Sequence, residues 1–180
     1  MSFWKEKKEV SIRFCGTGGM GIILVSVILG KAAIYDNINA IQTQSYGAEQ
    51  RGSKVRSDVI ISQSNIINYP VIDKTDILIA FSQESFDFYF KNTKKDSLIF
   101  LNSDLIQFKH QNNHIFKIPI STIARELHNE KIANIIMLGV LIKITSIVSS
   151  ESIIKSISDT IPKKYMELNI QAFKKGYNFQ

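Results

Sequence analysis

Short apolar runs alternate with helical periodicities along most of the chain. Val10–Phe14 is mostly apolar and leads straight into Gly16-Thr17-Gly18-Gly19-Met20-Gly21. Ile22–Tyr35 follows with apolar residues on nearly every face, the pattern of a helix buried all round rather than along one stripe. Asn39–Gln44 predicts a second strand and Asp58–Ser62 a third. Asp76–Phe81 is an almost continuous apolar run, which fits a strand covered on both faces. Over Gln83–Asn92, Phe86, Tyr89 and Phe90 recur at helical spacing behind Ser82, a candidate N-cap. Ser97–Leu101 reads as a strand that turns at Asn102-Ser103-Asp104. Ile115–Ile118 is a shorter strand stopped by Pro119.

The last third is helical. Ser121 or Thr122 is placed to cap a helix over Ile123–His128, and Ala133–Ile147 is long and apolar. Glu151–Ser158 is shorter, and Pro162 opens a final helix, Lys163–Lys175, for Gly176 to close. There is no internal repeat, linker or low-complexity tract. Such an order predicts an α/β fold, three-layer and Rossmann-like, with a mainly parallel sheet and a helical C-terminal third, in a single domain over 1–180.

Composition narrows the function classes. At 180 residues and 44% hydrophobic, the chain can build one sizeable core and is short for two. Ile77–Phe81 and Ile135–Ile147 are short or interrupted by Gly139, Lys143 and Thr145, whereas a membrane span needs about 20 mostly apolar residues. Met1–Lys8 is charged, with no apolar stretch behind it, so no secretory signal is read and a cytoplasmic location is expected. Cys15 is the only cysteine. It cannot form an internal disulfide, nor hold an iron–sulfur cluster, which takes about four cysteines. His110, His114 and His128 show no metal-ligand spacing. The net charge of +6 is spread over Lys5–Lys8, Lys91–Lys95 and Lys163–Lys175 without any nucleic-acid motif, and reads as a solvated surface for acidic partners.

Two stretches are candidates for chemistry. Gly16, Gly18 and Gly21 satisfy G-x-G-x-x-G between a strand and a helix, with Gly19 inside the loop. Such glycines permit a tight turn, close approach of another group and presentation of helix N–H groups to an anion. A dinucleotide fold also needs an acid about 20 residues further on; Ile41-Gln42-Thr43-Gln44-Ser45 supplies none. Close helix–strand packing, contact with a phosphate-bearing ligand and contact with a partner's backbone all stay open. The second stretch, Gln42–Asp58, is the least core-like. Gln42, Gln44, Ser45, Tyr46, Gly47, Arg51, Gly52 and Arg56 combine planar hydrogen-bonding groups, a ring and cations. If the strand before it is parallel, it falls at the carboxyl edge of the sheet, where open α/β sheets bind ligands. Asp58 could pair with Arg56 or Arg51. Cys15 reads as a buried small hydrophobe. No triad, G-x-S-x-G or H-E-x-x-H is present, so no catalytic residue is expected.

Together, Arg13-Phe14-x-Gly16-x-Gly18-Gly19-x-Gly21, Gln42-Thr43-Gln44-Ser45-Tyr46-Gly47-x-Glu49-x-Arg51-Gly52, Arg56-Ser57-Asp58, Tyr69-Pro70 and Ser82-Gln83-Glu84 resemble the gamma subunit of 2-oxoacid:ferredoxin oxidoreductases. Ala133-Asn134-x-x-Met137-Leu138-Gly139 and Asn169-x-x-Ala172-Phe173-x-x-Gly176 extend the resemblance over nearly the whole chain, and it looks most like the 2-oxoglutarate type. Met20 stands where the family usually has Gln.

The resemblance implies a hetero-oligomeric enzyme that decarboxylates a 2-oxoacid, passes electrons to ferredoxin and releases an acyl-coenzyme A. It places thiamine diphosphate, Mg²⁺ and iron–sulfur clusters on other subunits, so that this chain alone binds no cofactor. Alpha and beta subunits are the implied partners, with a ferredoxin-like delta subunit, coenzyme A and a second copy of the isolated chain as further candidates. The alternative is a free-standing, nucleotide-binding Rossmann-like protein.

Overall fold

Every residue of strand β1 (Glu9–Thr17) from Val10 to Gly16 is buried. A strand in that position needs a neighbour on each side and a covering layer on each face. The computed structural model, which describes residues 7–46, 54–63, 67, 69–108 and 114–179, supplies all four. The other strands are β2 (Asn39–Tyr46), β3 (Lys54–Ser62), β4 (Thr75–Ala80), β5 (Thr93–Asn102) and β6 (Ile115–Ile118). They form one sheet in the order β2-β3-β1-β4-β5-β6. β1, β4, β5 and β6 are parallel neighbours, whereas β3 runs antiparallel to both β1 and β2. β2 therefore points the same way as β1, and only β3 is reversed.

The sheet is mainly parallel, as expected, with that one reversal unforeseen. β5 also begins earlier than its apolar core, since Thr93 pairs with Thr75 across a register shift. The polar Thr93–Asp96 segment hides this in the sequence.

Helix α1 (Ile22–Tyr35) lies over one face of the sheet with α3 (Ile120–Glu126), α4 (Ala133–Thr145), α5 (Ser150–Thr160) and α6 (Lys163–Tyr177). On the other face, α2 (Gln83–Tyr89) and the 3₁₀ turn Phe90–Asn92 cover a smaller core of Cys15, Leu78, Ala80, Phe86, Ile99 and Leu101. That makes three layers, one much thicker than the other.

Three sequence expectations at helix ends are corrected. α3 starts at Ile120 with Pro119 before it, so neither Ser121 nor Thr122 is its cap; instead the Asp104 carboxylate accepts from Thr122 N–H at 2.8 Å. Ser82 does precede α2, but its hydroxyl makes no capping bond. Gly176 does not end α6: it sits inside the helix, where a Cβ would lie 1.9 Å from the Ile136 carbonyl oxygen. Its requirement is close approach of two helices, and a sequence pattern does not separate that from a C-terminal cap.

Candidate functional site

The glycine loop is built for contact in two directions. Gly16 is filled from below: a Cβ there would meet Ile22 Cδ1 at 2.8 Å and Phe81 Cβ at 3.1 Å, and its carbonyl accepts from Ser85 Oγ at 2.9 Å. Its lack of a side chain serves helix–strand packing. Gly18 and Gly19 are exposed in the turn beyond. Gly19 has φ +95°, and a Cβ on it would meet nothing within 4 Å. Gly21, at φ +70°, caps α1; its carbonyl accepts from Asn134 Nδ2 at 3.0 Å, and a Cβ would lie 2.2 Å from that nitrogen. The loop thus leans on the start of α4 and turns Gly18 and Gly19 outward.

Beside it opens a cleft of about 390 Å³. It lies at the carboxyl ends of β1, β4 and β5, and α1 and α2 leave the neighbouring strands β1 and β4 toward opposite faces. Such a topological switch is where open α/β sheets leave a crevice. Met20, Phe81, Leu105 and Ala133 give the cleft an apolar floor. Asn102 and Asn134 stiffen its wall. The first donates to Ser121 Oγ at 2.9 Å and accepts from Asp104 N–H at 3.2 Å; the second bridges to the glycine loop. Arg125, Glu130 and Lys131 stand at the mouth.

The second candidate stretch begins on β2, two strands from the loop, and returns on β3 directly beside it, where Val55 pairs with Gly16 and Lys54 with Thr17. Its side chains are divided between the two faces of the sheet. Gln42 faces α1, is half-buried and donates to Ser57 Oγ at 2.7 Å, with Ser26 Oγ at 3.4 Å. It braces α1 against β2 and β3. Gln44 follows on the same face but is exposed. Ser45, also exposed, pairs directly with Arg56 and so lies on the α2 face. Tyr46 ends β2. Gly47, Arg51 and Gly52 fall outside the described residues. Because β2 runs parallel to β1 in direction, its end does reach the carboxyl edge. Gln44, Ser45 and Arg56 share that edge with the glycine loop, and none of the three lines the cleft beside it.

Asp58 is not chiefly a partner of Arg56. Arg13 takes it, donating from Nε at 2.8 Å and from Nη2 at 2.7 Å, with a further bond from Nη2 to the Ile72 carbonyl at 3.0 Å. Both residues are buried. Arg56 approaches Asp58 only to 3.7 Å, keeps 37% of its side chain exposed and lies 5.9 Å from the centre of the Tyr89 ring. Arg13 lies beneath the same ring, at 5.1 Å. Burial pushes the Tyr89 phenol up, and the Arg56 and Arg13 charges oppose it. One carboxylate, already satisfied by a bidentate arginine, leaves Arg56 largely free to meet an outside anion.

Sequence reasoning did not single out Arg13, Arg125, Lys131 or Asn134 as functional. Arg13 carried a signal: a cation inside an apolar strand needs a buried partner. The other three become neighbours of the glycine loop only through tertiary folding. Among the described residues the donor set does not fit an iron–sulfur cluster or a metal. Cys15 is buried, with burial pushing its thiol far up against the opposing charge of Arg13. No group of three or more His, Cys, Asp or Glu converges among the described residues. No helix among them is long and apolar enough to cross a membrane.

Residues 11–179 match the family model of pyruvate ferredoxin/flavodoxin oxidoreductase. The chain is 44% identical over 178 residues to a 2-oxoglutarate synthase subunit KorC of Methanocaldococcus jannaschii, covering 96% of this chain and 94% of that one. It is 36% identical over 174 residues to the KorC subunit of Methanothermobacter thermautotrophicus, covering 92% of each. Among solved structures it resembles the gamma subunit of a keto/oxoacid ferredoxin oxidoreductase from Geobacter sulfurreducens, at 36% identity and TM-score 0.81, over 93% of this chain and 96% of that one.

Proposed function

The chain belongs to the pyruvate ferredoxin/flavodoxin oxidoreductase family, and from that premise we propose that it is the gamma subunit of an enzyme acting on 2-oxoglutarate. The complex would convert the 2-oxoacid and coenzyme A to an acyl-coenzyme A and carbon dioxide, with electrons passing to ferredoxin. The observation that carries this reading is end-to-end similarity to chains named as 2-oxoglutarate synthase subunits, at up to 44% identity among those above. The whole of 1–180 serves as one gamma-type domain. A free-standing nucleotide-binding protein is the weaker reading, because the acid that would hold a ribose is missing.

In this reading the chain is a structural and contact subunit. Thiamine diphosphate, Mg²⁺ and iron–sulfur clusters are assigned to alpha, beta and ferredoxin-like delta companions, since the residues present here do not suit a cluster. Arg56, with Gln44 and Ser45 at the same edge, is assigned to a companion's acidic surface or to an anionic ligand such as coenzyme A; Tyr46, Gly47, Arg51 and Gly52 are proposed as its continuation. Gly18 and Gly19 face outward as ligand- or partner-contacting backbone, and Gly21, locked against Asn134, holds them there. Gly16 and Gln42 hold the frame behind them.

Co-expression with the companion subunits tests the proposal. The purified complex should reduce a viologen dye with 2-oxoglutarate and coenzyme A, and the chain alone should not. Omitting this chain should abolish or cripple the activity. Arg56→Ala should weaken capture of the companions at unchanged chain stability. Dye reduction by the isolated chain, or a fully active complex without it, defeats the proposal. A strong preference for pyruvate defeats only its substrate assignment.

A further inference from the structure

We infer that the cleft between the glycine loop and the α3–α4 corner binds an amphiphilic monoanion, a small molecule with an apolar body and one carboxylate or phosphate head. This inference rests on the cleft itself and not on assembly with companion subunits. Its volume of about 390 Å³ falls in the range of small-molecule pockets, roughly 300–1,000 Å³. Leu105 keeps 49% of its surface exposed on the floor, beside Met20 and Phe81. Apolar surface held open in a concave site is better covered by a ligand than by water.

The wall is fixed before any ligand arrives. Asn102 is buried, and its amide is tied to Ser121 and to the Asp104 backbone. Asn134 is buried too, and clamps the glycine loop through Gly21. The loop in turn leaves the space over Gly19 empty. A ligand therefore meets a rigid edge rather than one it must order, which lowers the cost of binding.

Charge at the mouth selects the head group. Arg125 is weakly held, with donor contacts of 3.3 Å to the Ser121 carbonyl and 3.3 Å to Thr122 Oγ1, and Glu130 at 3.9 Å. Lys131 makes no ion pair among the described residues. The lining holds two cations against one carboxylate. Asp104, whose carboxylate is taken up by Thr122 N–H at 2.8 Å and Oγ1 at 2.9 Å, stands behind Arg125 outside it, so the face toward the cleft favours one negative charge over two. Glu130, 75% exposed, opposes the anion rather than binding it. The arrangement thus predicts opposite signs for two kinds of substitution.

The probe is 1-anilinonaphthalene-8-sulfonate, a singly charged fluorophore with an apolar body, titrated into the full chain. N-phenyl-1-naphthylamine serves as its uncharged counterpart. The sulfonate should bind at one saturable site. Arg125→Gln with Lys131→Gln should weaken it about tenfold, and Glu130→Gln should tighten it about threefold, as expected of exposed charges acting at short range. The neutral dye should respond to neither change. Leu105→Trp, which fills the floor, should weaken both dyes. Displacement by octanoate or by octyl phosphate then identifies the head group.

Equal sulfonate affinity in the double variant, tightening absent in Glu130→Gln, or failure of both amphiphiles to displace the dye overturns the inference. Companion capture is read separately on the same variants. Loss of dye binding with assembly intact fits this site alone, and failure of wild-type assembly bears only on the subunit reading.

Discussion

Gly176→Ala sets two physical effects against each other. In a helix interior alanine is favoured over glycine by about 1 kcal/mol, and α6 continues past this position to Tyr177, so propensity alone predicts stabilisation. Tertiary structure reverses the sign. A Cβ at 176 would stand 1.9 Å from the Ile136 carbonyl oxygen and 2.8 Å from its carbon, both backbone atoms of α4. Ordinary contact begins near 3.4 Å, so the helices must part by about 1.5 Å. α4 cannot recede, because every residue from Asn134 to Ile142 is buried. α6 would move instead, lifting Ala172 and Phe173 from the core.

Overpacking of this kind costs about 3 kcal/mol. Offset by the propensity gain, a net loss of about 2 kcal/mol remains, or a fall in Tm of roughly 4–8 °C for a chain of this size. Thermal unfolding followed by circular dichroism, with urea unfolding as a second measure, reads the change. Gly139→Ala presses on the same crossing, with its Cβ 2.3 Å from the Phe173 carbonyl oxygen. Once the helices have parted the second insertion finds room, so the double variant should lose clearly less than the two single losses combined. An unchanged or higher Tm for Gly176→Ala refutes the reasoning, and strict additivity refutes its shared cause.

The buried Arg13–Asp58 pair gives an asymmetric result. Asp58→Asn strands a buried guanidinium and should cost about 3–5 kcal/mol in urea unfolding. Arg13→Met should cost less, since Arg56 already lies 3.7 Å from Asp58 and can take it over. Asp76, at the opposite edge of the sheet, governs acid stability. Burial pushes its carboxyl up, but hydrogen bonds from Lys7, Lys94 and Ser11 outweigh that and hold it at about 2, against 3.8 ordinarily. Its stabilisation is complete above about pH 4 and fades as pH falls toward 2. With Lys94 exposed and Lys7 partly so, it amounts to about 1 kcal/mol, and Asp76→Asn should flatten that part of the stability-against-pH curve. Ser82 carries a buried hydroxyl with no hydrogen-bond partner among the described residues. Ser82→Ala should be neutral or stabilising by about 1 kcal/mol; a loss of that size would mean the residue caps α2 after all.

Where local pattern and burial coincide, the sequence alone was sufficient. α1 occupies Ile22–Tyr35 as read, because a run apolar on every face has no alternative but a buried helix. The alternating strands and helices specify a three-layer, mainly parallel fold, and the glycine-loop and Gln42–Asp58 motifs carry the family in the sequence itself. What the sequence could not specify was pairing at a distance. Nothing local says that β3 runs backwards between β1 and β2, or that Arg13 rather than Arg56 claims Asp58. The glycines show the division best. Their spacing is visible in the chain, but each one's purpose depends on what stands opposite: Ile22 and Phe81 for Gly16, Asn134 for Gly21, the α4 backbone for Gly176. A missing side chain is a local fact; the atom that requires it to be missing arrives only when distant segments pack.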